Sequence, residues 1–168
     1  MENSISLLKK EPDRMAKKLA IIASKGTLDG AYPPFLLAST AAALGFEAKI
    51  FFTFYGLQLL KKDLSLKVSP LGNPAMPMPV PVPSIVQIIP GLEAFATWMM
   101  QRKLKKKGVA SVAELREICL ESDVELIACQ MTVDLFDFKN SDFIDGISHG
   151  GAATFLEFAS EADITLYI

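Results

Sequence analysis

Cysteine, histidine and tryptophan are scarce in this chain of 168 residues, which holds two cysteines, Cys119 and Cys129, one histidine, His149, and one tryptophan, Trp98. There is no Cys-x-x-Cys pair and no Cys/His cluster. A disulfide scaffold and a zinc site are therefore excluded, and two free thiols fit a reducing, cytoplasmic setting. No metal is expected elsewhere, because Asp134, Asp137, Asp142 and Asp145 lack the spacing of a calcium loop. No resident cofactor is expected either. The loop Ser24-Lys25-Gly26-Thr27-Leu28-Asp29-Gly30 has neither P-loop nor Gly-x-Gly-x-x-Gly spacing. A dominant charge is also missing: the net charge is -2, and no basic stripe is interleaved with aromatics, which argues against nucleic acid as a partner. The most apolar stretch, Ile85 to Arg102, contains Pro90 and falls short of the roughly 20 apolar residues of a membrane span. Met1 to Lys18 is charged and has no apolar core of an export signal.

What is present is an alternation of strand and helix patterns. The length suits one domain that buries roughly 70% of its unfolded surface, read as an arm over 1–16 followed by a single α/β domain over 17–168. Lys18 to Ala23 and Ala48 to Phe54 read as strands, with a helix opened by Pro33-Pro34 and ended by Gly45 between them. Ser111-Val112-Ala113-Glu114 is a capping box for a helix that leads to the buried strand Val124 to Ala128. Gln130 to Phe136 then reads as a short helix and Asp145 to His149 as a short strand. Gly150-Gly151 opens a further helix, and Ile164 to Ile168 closes the sheet. Such alternation predicts a mainly parallel sheet with helices on both faces.

The middle breaks this rhythm. Seven of the ten prolines lie between Pro70 and Pro90, and Glu93 is the only charge between Val68 and Gln101. Pro77, Pro79, Pro81 and Pro83 alternate with Met78, Val80 and Val82, so an extended or polyproline run is predicted, followed by a helix over Gly91 to Leu104. This apolar insertion, at about 70–104, reads as a flap on its own domain, a subunit interface or a weak membrane-surface contact. Arg102, Lys103, Lys105, Lys106 and Lys107 precede Gly108 as a solvated helix end does, and a basic end of this kind also suits docking on an acidic partner or an anionic surface.

Cys129 is the strongest chemical candidate. It follows a buried strand and starts a helix, where ligands collect in open α/β sheets and where backbone amides favour a thiolate. The other reading is a small buried hydrophobe. His149 ends a strand that could neighbour that of Cys129, which would bring an imidazole near the thiol. Lys25, Gly26 and Thr27 are read either as a plain turn or as a wall of the same cleft. Cys119 falls in register with Val112, Leu115 and Ile118 on an apolar helix face and reads as core.

Several blocks in order carry a resemblance. Lys25 to Pro34, Phe51 to Leu57, Gly72 to Met78, Ile89-Pro90-Gly91, Ile127 to Asp134, and Asp145-Gly146 with Gly150 to Thr154 resemble the DsrE/DsrF/DsrH-like family, in its branch with an inserted Met/Pro-rich segment. The likeness runs from Lys17 to Ile168. It implies a flavodoxin-like three-layer α/β domain with a mainly parallel sheet, commonly homo-oligomeric. It also implies a sulfane sulfur carried on one cysteine as a persulfide or thiosulfonate, with sulfur donor and acceptor proteins as partners. Whether the chain is an enzyme, a sulfurtransferase, or only a carrier stays open. The matching cysteine is Cys129, and Lys25, Gly26, Thr27, Met131, His149, Gly150 and Gly151 become candidate linings of the active cleft. His149 departs from the small or acidic residue of the family pattern. A nucleotide- or flavin-binding module and a non-catalytic interaction subunit remain as alternatives.

Overall fold

The structure is a computed structural model that describes residues 16–69 and 91–168. The N-terminal arm, save its last residue, and the Pro-rich extended run of 70–90 lie outside the described residues.

β1 (Lys18–Ala23) has the bounds that its apolar run predicts. α1 (Leu28–Ala43) starts well ahead of Pro33-Pro34, which lie inside it. Local chemistry accounts for the difference. Thr27 is the N-cap, its Oγ1 accepting from the Gly30 amide at 3.2 Å, and Asp29 occupies the positive first turn. Pro33 and Pro34 stand in the second turn, where they deprive the carbonyls of Asp29 and Gly30 of their usual amide partners. β2 (Glu47–Phe52) ends before the predicted Phe54. A 3₁₀ helix over Phe54–Leu60 replaces the end of that strand and buries Leu57, Leu59 and Leu60 completely. Arg116 holds its far end, donating to the carbonyls of Leu59 at 3.2 Å and Lys61 at 2.8 Å.

α2 (Leu92–Lys106) begins after Gly91, whose φ of 85° suits glycine alone, and runs slightly past the predicted end. Its buried Thr97 hydroxyl donates to the Glu93 carbonyl at 2.8 Å and accepts from the Val68 amide at 3.2 Å, fixing the helix on the segment before it. α3 (Val112–Glu121) carries the predicted capping box, with both reciprocal bonds formed. β3 (Glu125–Cys129) leads without a loop into α4 (Gln130–Leu135). β4 is Ser148–Gly150 rather than Asp145–His149, because the chain is still turning at Gly146, whose φ is 83°. α5 (Ala152–Ser160) and β5 (Ile164–Tyr167) complete the order.

The five strands of the described residues pair in parallel throughout, in the order β4-β3-β2-β1-β5. This is the α/β class that the sequence predicts, with helices on both faces but unequally. α1 and α3 cover Leu19, Ile21, Ile50, Phe52, Leu126 and Ala128 on one face. On the other, α5 brings Phe155 and Phe158 against Ala20, Phe51 and Ile127, with Phe51 and Phe155 stacked at 5.0 Å. At the lower end of that face a polar row links β2, β3 and β4. Lys49 meets Glu125 at 2.7 Å, and Ser148 donates to Glu125 at 2.9 Å. Burial pushes the Glu125 carboxyl up, but these two donors outweigh it and hold it below the usual range.

Candidate functional site

Cys129 is the last residue of β3 and the N-cap of α4, with φ -65° and ψ 110°. Strand alternation sends Ala128 into the larger core and Cys129 into the smaller one, beside Ile127 and Phe155. Cys129 is 4% exposed, so the strand-end position matches the expectation while the open thiol does not. The final pleat of β3 turns the sulfur under the α5 layer instead of out to water.

The topology makes this strand end distinctive. From β3 the chain passes to α4, whose Val133 joins the larger core; from the adjacent β4 it passes to α5, whose aromatics form the smaller one. Neighbouring parallel strands whose carboxyl-end connections depart to opposite faces leave a crevice between them. Cys129 registers with Gly150 across that divide. Gly150 presents no side chain there, and a Cβ would lie 3.1 Å from Cγ2 of Ile127. The next residue, Gly151, is the N-cap of α5 and supplies no side-chain cap, and open space surrounds the place of its missing Cβ. The first amides of α5 therefore stand free of intrahelical and capping partners, next to the strand end that faces Cys129.

The other predicted linings divide. Met131, on α4, is 61% exposed beside this strand end. His149 registers with Ala128, so its side chain leaves the opposite face of the sheet from the thiol and sits edge-on to Phe143 at 6.1 Å. The expected approach of imidazole to sulfur is thus corrected by the pleat. Lys25, Gly26 and Thr27 follow β1, which β2 separates from β3, and two strand spacings amount to about 10 Å. With Ser24, Tyr55, Gln58 and Ser69 they line a shallow cavity of about 320 Å³ that does not include Cys129. Gly26 packs so closely that a Cβ would stand 2.3 Å from the Tyr55 carbonyl oxygen, and a Cβ on Gly56 would stand 2.1 Å from that of Ala23. This loop is tight backbone packing with Thr27 as a helix cap. Ser69 ties the same corner, donating its amide and hydroxyl to Asp29 at 2.8 and 2.6 Å. Among the described residues, no three His, Cys, Asp or Glu side chains converge as metal ligands.

Cys119 lies wholly within the larger core, its Sγ donating to the Phe35 carbonyl at 3.4 Å. Burial pushes this thiol up to about 11, against a smaller opposing pull from the Ser39 amide. Sequence reasoning missed Thr132, fully buried on α4, whose Oγ1 accepts from the Phe54 amide at 3.3 Å and meets Thr53 Oγ1 at 3.3 Å. The available signal was a hydroxyl residue inside an apolar turn after Cys129, which has to find a partner when buried.

A parallel α/β domain of three layers, with a lone cysteine where two strand ends diverge, is the class that fold and site define. The sequence pattern of the DsrE/DsrF/DrsH-like family matches residues 15–167, and the chain belongs to that family. It is 62% identical over 156 residues to a protein of Allochromatium vinosum named sulfur carrier protein DsrE2, covering 90% of this chain and 98% of that one. It is 28% identical over 157 residues to the uncharacterized protein YrkE of Bacillus subtilis, covering 90% and 97%. The crystal structure of YchN from E. coli shares the fold, with a TM-score of 0.51 at 15% identity, over 90% of this chain and 99% of that one.

Proposed function

We propose that this protein carries sulfane sulfur on Cys129 as a persulfide and exchanges it with partner proteins. The observation that carries the reading is the position of Cys129 at the divergent ends of β3 and β4, beside the uncapped start of α5. Membership of the family and the likeness to a sulfur carrier support it. In the loading step the Cys129 sulfur attacks the terminal sulfur of a donor persulfide. A Cys129 S–S bond forms, the donor S–S bond breaks with its electron pair, and the proton lost by Cys129 ends on the donor thiol. Two thiol-level sulfurs exchange one sulfane sulfur, so no external oxidant or reductant is consumed. Free α5 amides favour the anionic end of the loaded chain.

Self-association fits α2. Phe95, Trp98 and Met99 are exposed along it, Phe95 and Trp98 stack at 5.9 Å, and Arg102 lies 5.3 Å from the Trp98 ring centre. A second copy would remove this stripe from water, and light scattering at micromolar concentration tests it. Co-sedimentation with anionic vesicles tests a weak membrane-surface contact of the basic helix end. No helix of the described residues is long and apolar enough to cross a membrane.

The primary test is intact mass after exposure to inorganic polysulfide. The expected result is a gain of whole sulfur atoms, reversed by reductant, that Cys129→Ser abolishes and Cys119→Ser does not. Equal loading of Cys129→Ser would overturn the reading.

A further inference from the structure

We propose that Thr132 is a positioning residue for sulfur exchange at Cys129, acting through a latch on the strained tip that follows β2. The inference rests on the carrier role of Cys129 and names what holds that cysteine in place. α4 has six residues and Cys129 is its N-cap, so whatever fixes its first turn fixes the Cys129 backbone. Thr132 lies in that first turn and is 0% exposed, with its hydroxyl between the Phe54 amide and the Thr53 hydroxyl, each at 3.3 Å.

Phe54 makes this more than ordinary packing. Its φ is 47°, in the left-handed region that a bulky side chain rarely enters, yet 46% of the residue is exposed, so ring burial does not explain the conformation. The peptide that enters this strained residue is the one whose amide donates to Thr132. The tip is held on its other side as well, because the Thr53 amide donates to the Ala23 carbonyl at 3.1 Å and the Ser24 amide to that of Ile168 at 2.9 Å. A seam of hydrogen bonds thus runs from the helix of Cys129 across the ends of β2, β1 and β5. Thr132 is where the reactive strand joins it. Valine has nearly the shape of threonine but cannot accept the Phe54 amide, which would leave a donor without a partner and free the first turn of α4 to shift. Displacement of a reacting sulfur by a fraction of an ångström lowers the rate of in-line attack without removing the thiol.

The experiment follows polysulfide loading of Cys129 by intact mass over time, in parallel with thermal unfolding. Thr132→Val is expected to load about tenfold more slowly, whereas Thr132→Ser, which restores the hydroxyl, loads at nearly the native rate. Phe54→Gly keeps the amide and relaxes the strain, so its loading is expected to stay native while its melting temperature does not fall. A residue that only stabilised the fold would make rate follow melting temperature across all three. Native-rate loading by a folded Thr132→Val protein overturns the inference. Should that variant not fold, Thr132→Ala decides, since it also removes the acceptor of the Phe54 amide, and a native rate there overturns the inference equally. Failure of the native protein to load at all would instead remove the carrier role on which this rests.

Discussion

His149 stands beside Ala128 in the β3–β4 register, one residue short of Cys129, and the pleat therefore puts its imidazole and the Cys129 thiol on opposite faces of the sheet. Its ring lies against Phe143 in the larger core. His149→Gln should leave the rate of polysulfide loading within about twofold of native. A larger fall in the Gln variant would show that the imidazole reaches the chemistry after all.

Gly151 gives a prediction in which stability and loading move in opposite directions. Serine at this uncapped N-cap supplies the missing acceptor for the α5 amides, and should stabilise the fold by a few tenths of a kcal/mol, at about the size of the Gly-to-Ser difference at such sites. The same bond occupies the donors offered to an anionic sulfur chain. Loading of Gly151→Ser should therefore be slower than native although its melting temperature is higher; a faster or equal rate would separate the α5 amides from the mechanism.

Gly56 and Gly26 are set by close approach. The missing Cβ of Gly56 would stand 2.1 Å from the Ala23 carbonyl oxygen, a backbone atom that cannot swing aside. Gly56→Ala should cost about 2 kcal/mol or more, through displacement of the β1 end, while Gly45→Ala, with open space around it, should cost only the strain of its positive φ at about 1 kcal/mol. Urea titrations of the two variants make the comparison. Equal losses would mean that the loop yields.

Cys119 gives an alkaline signature. Its thiol is pushed up to about 11 in the fold, against 9.0 for the free group, so the folded state favours the neutral form. That contribution is complete below pH 9 and is lost as pH rises through about 11, amounting to on the order of 2 kcal/mol. Cys119→Ala should start from a lower plateau because of its cavity, and the gap between its stability curve and the native one should narrow over that window. Iodoacetamide should reach Cys119 only after denaturation. A constant gap, or early native labelling of Cys119, would contradict its burial.

Much of this architecture was legible because local chemistry and tertiary position agree. The Lys18–Ala23 run, the Ser111 capping box and the chain from buried strand to short helix around Cys129 each need only neighbours within a few residues. The early start of α1 was hidden because Pro33-Pro34 look like an opening, while the Thr27 cap lies further back. The faces of His149 and Cys129 could not be read, since a shift of one residue in register exchanges them and no local pattern sets that offset. Thr132 and Phe54 were hidden for a related reason. Their bond joins residues 78 positions apart, and the positive φ of Phe54 is imposed by the tip it belongs to rather than by its own type.

The two faces of the sheet differ in thickness, and the Cys129 sulfur lies under the thinner one. Cys129 lies beneath the nine residues of α5, on the face opposite α1 and α3. Partial opening of one short peripheral helix needs far less free energy than global unfolding, because stability is distributed in local cooperative units. Opening of α5 alone would expose the buried thiol and leave the larger core intact.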